Sequence, residues 1–329
     1  MTRPPTVSVF GTGALGMLFA ARLARSGARV LLAGTWSDCL AAVARDGIEV
    51  VEPGGVWRQR VAETTRRPNP DDAPHRRADV ALVLVKSWQT CAVAAAAASA
   101  GEVLLTLQNG LGNVASLARR AGTRRVVQGL CSHGATVLAP GRVGDGGGGE
   151  VVLPAGRVAL TALLREAGFA VRETADLERA VWEKLAVNCA INPVTALAGV
   201  RNGALLERSA LRERALAAAR ETAAVAAARG VGPAGDVARR VLAVARRTGG
   251  NHSSMLQDLR RGAPTEIDAI CGAVVRAGAE LGLPTPVNRR LLEAVRRRER
   301  RAKARGRALP PVAGDGRPPT LRPAPETVR

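Results

Sequence analysis

Residues 7–16 read VSVFGTGALG: the apolar run Val7 to Phe10 passes directly into Gly11-Thr12-Gly13-Ala14-Leu15-Gly16. The helical pattern MLFAARLARSG follows, then a second apolar run from Ala28 to Ala33, so strand, GxGxxG, helix and strand fit within about 27 residues. Glycines at these places permit a tight turn and the close approach of a pyrophosphate to the unpaired N–H groups of a helix N-terminus. The flanking strands and helix supply the context that a bare GxGxxG lacks, and they point to a βαβ unit that binds a dinucleotide.

Working outward, the second strand ends in Gly34, Thr35, Trp36 and Ser37. An acid there would take a ribose 2′-hydroxyl and an arginine a 2′-phosphate; neither is present. With no acid to repel a phosphate, and with Thr35 and Ser37 as hydroxyl donors, the position favours NADP over NAD. Asp79 to Val85 is the near-continuous apolar run of a buried parallel strand, and it delivers Lys86 and Gln89 at the carboxyl end, where open α/β sheets bind ligands. An alanine-rich helix to about Ala100 and a strand from Val103 to Leu107 follow. That strand ends in Gln108-Asn109-Gly110-Leu111-Gly112-Asn113, either a plain turn or a loop that lays backbone and carboxamide against a nicotinamide ring. The strand from Arg125 to Leu130 ends at Ser132-His133-Gly134-Ala135, where His133 is a general acid or simply a positioned loop histidine.

Other stretches read as embellishments. Ile48 to Val61, alternating around Pro53-Gly54-Gly55, predicts a hairpin added to the sheet, and Pro68 to Pro74 a loop. Gly141 to Gly149 is a second hairpin region, followed by a helix from about Ala155 and a strand from Phe169 to Arg172.

A different kind of signal lies in Trp182 to Pro193, WEKLAVNCAINP. Lys184, Asn188 and Asn192 recur at i, i+4 and i+8, so a helix stacks them on one face of an otherwise apolar segment. Only three of the 48 cationic residues are lysines, Lys86, Lys184 and Lys303. An ammonium, unlike a guanidinium, can surrender its proton near neutral pH when desolvated, so a lysine where arginine is the default hints at proton transfer. A lysine snorkelling from a half-buried helix is the alternative.

From Ala204 to about Arg298 the pattern is helical almost throughout, with turns at Gly230 to Pro233 and Gly282 to Pro284. Within it, Asn251-His252-Ser253-Ser254 precedes MLQDL, so Ser253 or Ser254 can cap a helix; Thr265 can cap the next, with Glu266 in its first turn.

The 329 residues suffice for two domains: a Rossmann domain over 1–175 and an all-helical substrate and catalytic domain over 176–300, with a basic, Pro-rich, disordered tail over 301–329. The net charge of +20 invites a nucleic-acid reading, but much of it sits at the C-terminus, beginning with the basic run from Arg296 to Arg307, which reads as a frayed helix leading into the tail, and aromatics at 2% leave little to stack bases on. No specific nucleic-acid partner is expected. Five scattered cysteines and three distant histidines predict free thiols and no metal. With no charged-then-apolar leader and no run of 18 apolar residues, a soluble, cytoplasmic protein without a membrane partner is expected. The assembly is left open, a homodimer included.

Taken in order, GTGALG, VLVKSWQT, QNGLGN, SHGAT, WEKLAVNCAINPVTAL, RNGAL, SSMLQD and TEID resemble the ketopantoate reductase family, over residues from about 6 to about 300. The resemblance implies a Rossmann-type α/β domain followed by a 6-phosphogluconate-dehydrogenase-like all-α domain, and NADPH-dependent reduction of 2-dehydropantoate to (R)-pantoate on the way to pantothenate and coenzyme A. It makes Lys184 the proton donor, with Asn109, Lys184, Asn188, Asn192, Asn202 and Ser254 holding substrate. Gly11, Thr12, Gly13, Ala14, Leu15, Gly16, Lys86, Asn109, Ala135 and Glu266 would hold NADPH or NADP+. Thr35 departs from the family pattern, which often places an arginine on the 2′-phosphate, and this bears on cofactor preference rather than fold.

The chemistry of the residues agrees. Hydride addition to a ketone develops alkoxide charge, which a proton-donating cation both stabilises and quenches. Carboxamides on Asn188, Asn192 and Asn202 suit a hydroxylated 2-oxo acid, which should lie in a cleft between a sheet and a helical domain. The alternatives are a paralogue acting on another 2-oxo acid or keto substrate, and a non-catalytic dinucleotide-binding regulator.

Overall fold

The structure is a computed structural model that describes residues 3–66, 78–232 and 235–304. The loop at 68–74, His75, Pro233 and the end of the basic tail lie outside the described residues. The chain separates into two compact units, one from 3–108 with 113–175, the other from 109–112 with the residues after 175.

The first unit begins with β1 (Thr6–Phe10), α1 (Ala14–Arg25), β2 (Arg29–Ala33), α2 (Ser37–Asp46), β3 (Ile48–Glu52), β4 (Gly55–Gln59) and β5 (Glu63–Thr65). It continues with β6 (Ala78–Val83), α3 (Thr90–Ala100), β7 (Gly101–Thr106), α4 (Asn113–Ala121), β8 (Val126–Gln128) and β9 (Leu130–Cys131). The unit closes with β10 (Gly134–Ala139), β11 (Arg142–Gly147), β12 (Glu150–Pro154), α5 (Val158–Glu166) and β13 (Ala170–Thr174). A parallel sheet in the order β5-β2-β1-β6-β7-β8 is its centre. That order is doubly wound: the chain leaves β1 towards β2 on one side and resumes at β6 on the other, which makes the carboxyl ends of β1 and β6 the switch point. Burial explains the apolar runs, since Val7, Val9, Leu82 and Leu105 are all at most 1% exposed.

Two expectations for this unit are corrected, and one strand is added to those expected. The hairpin at 48–61 forms, as β3 and β4, but in a separate sheet of order β10-β11-β3-β4 rather than on the parallel sheet. The strand expected over 125–130 is divided, β8 ending the parallel sheet and β9 pairing with β12 in a third. Gly129 sits at the break with Leu107 and Leu153 packed so close that a Cβ would come within 2.7 and 2.9 Å of their Cδ2 atoms. Strand β12 itself was not foreseen, because the glycine-rich stretch before it masks its start.

Helices make up the second unit: α6 (Leu177–Ala198), α7 (Ala204–Glu207), α8 (Ser209–Ala228), α9 (Val237–Arg247), α10 (Ser254–Arg260), α11 (Cys271–Glu280) and α12 (Pro286–Ala304). Helix α6 is central and packs against α8, α9, α10 and α12. Asp176 caps it, accepting from the Arg179 N–H at 3.1 Å, and Gly199 ends it with a left-handed φ of 71°. It runs straight through Pro193. An interior proline removes one helical donor at a cost of about 3 kcal/mol. Offsetting that, Cys189, Ala190, Ile191, Val194 and Ala196 are buried in the helical core. Helix α12 continues to Ala304, so the arginines from 296 to 301 belong to a formed helix.

Candidate active site

In the first unit, the candidate nucleotide-binding residues are assembled at the switch point of the sheet. Gly11 donates to Ala33 O at 2.8 Å and Leu84 to Phe10 O at 2.8 Å, which locks the exits of β1, β2 and β6 side by side. Gly11 takes φ of 127°, and a Cβ there would meet Leu84 C at 2.9 Å; a Cβ on Gly16 would lie 1.8 Å from Gly11 O. Gly13 differs, because a Cβ there would meet nothing within 4 Å. Gly13 is exposed, Ala14 and Leu15 half-buried, and Gly13 gives α1 no side-chain cap, so first-turn N–H groups are left for an external anion. This is a concave, open-fronted cradle of the kind a dinucleotide pyrophosphate fills. Thr12 is buried beneath it.

Lys86 leaves β6 at the same edge, half-buried, and opens the short 3-10 turn that leads to α3. Its loop is held by a residue that sequence reasoning passed over, Gln108. This buried carboxamide donates to Val85 O at 2.7 Å and to Thr90 Oγ1 at 2.8 Å, while Thr106 donates to its Oε1 at 2.9 Å. Thr90 in turn donates to Asn113 at 2.9 Å. A buried glutamine at a strand end needs such partners, and that was the available signal.

Ala135 lies on β10, half-buried, opposite Asp145 of β11. His133 just before it is anchored: its Nε2 is 2.6 Å from Asp145 Oδ1, and its ring meets Phe169 edge-on at 5.7 Å. Arg22 of α1 also pairs with Asp145, whose other partner is the Gly147 N–H at 2.8 Å. Burial alone would push the Asp145 carboxyl up, but the His133 and Gly147 hydrogen bonds and the charges of His133 and Arg22 together hold it below the usual carboxylate range. Of the two readings of His133, the positioned loop histidine is the one this geometry supports.

The second unit carries a polar stripe of its own. Along α6, Lys184, Asn188 and Asn192 are half-buried while Leu185, Ala186, Cys189, Ala190 and Ile191 are buried, so the stripe faces an open side of an otherwise enclosed helix. Ser253 donates to Asn192 O at 3.4 Å, receives the Thr195 hydroxyl at 2.9 Å, and caps α10 through the Leu256 N–H at 3.3 Å. The cap is therefore Ser253, and Ser254 stands exposed as the first residue of α10. Asn202 is buried, its N–H bonded to Asn251 O at 2.9 Å and its side chain donating to Thr248 at 3.0 Å, with Oδ1 left unpartnered.

Two motifs far apart in sequence meet directly. Asn109 donates to Glu266 Oε2 at 3.3 Å, and Leu111 N–H donates to Ala269 O at 2.9 Å. Gly110, at φ of 79°, brings its backbone so near that a Cβ would be 2.3 Å from Ala269 O. Glu266 does not sit in a helix's first turn, as expected: α11 begins only at Cys271, and Thr265 caps the turn before it through Ile267 N–H at 3.2 Å. Helix-dipole stabilisation therefore does not explain a carboxylate only 6% exposed. At the carboxyl end of α6, Arg201, Arg208, His252 and Arg260 line a cavity of about 390 Å³. Burial, reinforced by the charges of Arg260 and Arg201, holds His252 below its ordinary pKa, so the arginines carry the positive charge there.

A doubly wound sheet with an open glycine cradle, joined to a helical unit that presents a lysine and asparagine stripe, defines a two-domain dinucleotide-binding oxidoreductase. More narrowly, the chain belongs to the ketopantoate reductase family: the PanE/ApbA description matches residues 7–157 and its C-terminal counterpart residues 176–299. It is 40% identical to a 2-dehydropantoate 2-reductase of Halobacterium salinarum over 308 residues, covering 89% of this chain and 99% of that protein. Among solved structures, a PanE/ApbA family ketopantoate reductase from Ralstonia eutropha JMP134 superposes with a TM-score of 0.82 at 30% identity, covering 91% of this chain and 99% of the other. A ternary structure of D-mandelate dehydrogenase with NADH and anilino(oxo)acetate shares the fold, with a TM-score of 0.82 at 24% identity over 91% and 99% of the two chains. Among the described residues no helix is long and apolar enough to cross a membrane, and no group of His, Cys, Asp or Glu could hold a metal ion.

Proposed function

We infer that this protein reduces 2-dehydropantoate to (R)-pantoate with NADPH, a step towards pantothenate and coenzyme A. The observation that carries this reading is the half-open Lys184, Asn188, Asn192 stripe on α6, in a chain alignable almost end to end with 2-dehydropantoate 2-reductases. NADPH, when bound, supplies the hydride. Gly11 to Gly16 would hold its pyrophosphate, with Lys86 adding positive charge at the same sheet edge, and Ala135, Asn109 and Glu266 are the further residues that would hold the cofactor.

Residues 176–300 form the substrate domain. Lys184 stabilises the negative charge that develops on the 2-keto oxygen and donates its ammonium proton to that atom. Asn188, Asn192, Asn202 and Ser254 hold the substrate carboxylate and hydroxyl, carboxamides being able to donate to the first and accept from the second. Asn109, tied to Glu266 across 157 positions of sequence, presents a fixed amide to substrate and cofactor together. All five cysteines are unpaired, which suits the cytoplasm.

The test is oxidation of NADPH, followed at 340 nm, with 2-dehydropantoate and a panel of other 2-oxo acids, each repeated with NADH. Turnover that strongly favours 2-dehydropantoate with NADPH is the expected result. Intact NADPH binding with turnover only on another keto acid would move the assignment to a paralogous reductase, and binding without turnover on any of them to a non-catalytic role.

A further inference from the structure

The turn after β2 has neither the acid nor the arginine that commonly reads the ribose, since Ala33 is followed by Gly34, Thr35, Trp36 and Ser37. Tertiary structure brings a cation to the same place from a neighbouring strand. Edge strand β5 runs parallel to β2 in the register Leu31 to Glu63, Leu32 to Thr64 and Ala33 to Thr65. Gly34 N–H then donates to Thr65 O at 3.1 Å, so the two strands end in step. The residue that directly follows β5 is Arg66, which is exposed and lies one position beyond the Ala33 to Thr65 pair, as Gly34 does on the β2 side.

Sheet order sets out the rest. Along the carboxyl edge β1 contributes Gly11 to Gly13, β2 contributes Gly34 and Thr35, and β5 contributes Arg66, in that spatial sequence. Gly34 is pressed onto the glycine turn, since a Cβ there would lie 2.5 Å from Thr12 Cγ2 and 2.7 Å from its Oγ1. A dinucleotide whose pyrophosphate rests on the N-terminus of α1 carries its adenosine ribose to the end of the second strand. A group on the ribose 2′-oxygen then projects over the Thr35 turn towards β5. The expectation that no acid there would repel a phosphate is corrected by Asp38, which lies in the first turn of α2 just past Ser37 and accepts from the Ser37 hydroxyl at 3.2 Å. A 2′-phosphate there needs a cation to outweigh that acid.

We propose that Arg66 binds the 2′-phosphate of NADPH from strand β5, in place of the arginine missing at Thr35, and so determines the preference for NADPH over NADH. This rests on the reading of the protein as an NADPH-dependent reductase. A guanidinium at the end of an edge strand offers forked N–H donors to a phosphate, with Thr35 and Ser37 adding hydroxyls.

Isothermal titration of the full chain with 2′,5′-ADP and with 5′-AMP tests the assignment without any turnover. Arg66→Ala should weaken 2′,5′-ADP about 10- to 100-fold and change 5′-AMP by less than about twofold, as expected for loss of hydrogen bonds between charged groups. Thr35→Arg, placed on the Arg66→Ala background, should restore 2′,5′-ADP binding; failure to do so in a protein of unchanged melting temperature would place the phosphate elsewhere and overturn the assignment. A wild-type protein that prefers 2′,5′-ADP, with an Arg66→Ala variant that keeps the preference in full, would overturn the role of Arg66 while leaving the NADPH reading standing. A wild-type protein binding both ligands alike would instead remove the NADPH reading, and this assignment with it.

Discussion

Lys184 is one of three lysines among 48 cationic residues, and its position on the half-open face of α6 is what separates it from the arginine-rich surface. If it is the proton donor, Lys184→Ala should lower kcat by about 10²- to 10⁴-fold, the range of general acid catalysis, with the Kd for NADPH unchanged. Stopped-flow turnover and fluorescence titration of NADPH separate the two quantities, and near-normal kcat would remove Lys184 from the role. Asp145 makes a different prediction. Its carboxylate is 1% exposed between His133 and Arg22, so Asp145→Asn should cost about 1–3 kcal/mol in urea unfolding at pH 7 by removing the near charge partner of a partly buried guanidinium, which keeps only Glu52 at 3.8 Å and the Gly168 carbonyl at 3.1 Å. Because the folded-state pKa is depressed, this stabilisation is fully present above the ordinary carboxylate pKa of about 3.9 and is lost as pH falls from there through the lower folded value. The gap between wild type and variant should therefore hold constant from pH 7 to about 5 and narrow below about pH 4. Of these residues the sequence pointed to Lys184 by type and spacing alone. It left His133 undecided, because Asp145 is twelve residues away on another strand and no local period links them.

At the level of elements, the β1 to α1 turn offers a paired test, because two of its glycines are constrained by different things. A Cβ on Gly16 would collide with Gly11 O at 1.8 Å, whereas one on Gly13 meets no protein atom within 4 Å. Gly16→Ala should thus lower both the melting temperature and nucleotide affinity. Gly13→Ala should leave the melting temperature within a few degrees and weaken nucleotide binding about tenfold or more, since only a bound pyrophosphate would need that space. Calorimetry of both variants with and without NADPH checks this; equal thermal losses in the two would show that Gly13 is structural. The βαβ unit was legible in the sequence because its constraints are local, a tight turn and a helix start. The start of α11 was not. A threonine followed by a carboxylate, Thr265 with Glu266, matches the pattern of a helix start, but the chain there makes irregular turns that bring Glu266 to Asn109, a contact between segments 157 positions apart.

For the molecule as a whole, the net charge of +20 is the property most open to misreading. The family match ends at residue 299, and α12 ends at Ala304. Removing residues 305–329 should leave kcat/KM within about twofold and weaken retention on heparin, because charge neutralisation of a polyanion scales with the cations supplied. Lost turnover in a truncated protein that still folds would give the tail a part in the reaction. By itself the sequence determined the class of each unit and the edge of the sheet where a nucleotide binds, since strand and helix periods, glycine sterics and an i, i+4, i+8 stripe act over a few residues. Only the tertiary structure decided which distant groups become partners: Asn109 with Glu266, His133 with Asp145, Gln108 with Val85 and Thr90, and Arg66 beside the Thr35 turn. Those pairings depend on which strands and turns lie side by side, and that is settled by burying apolar faces together rather than by any pattern along the chain.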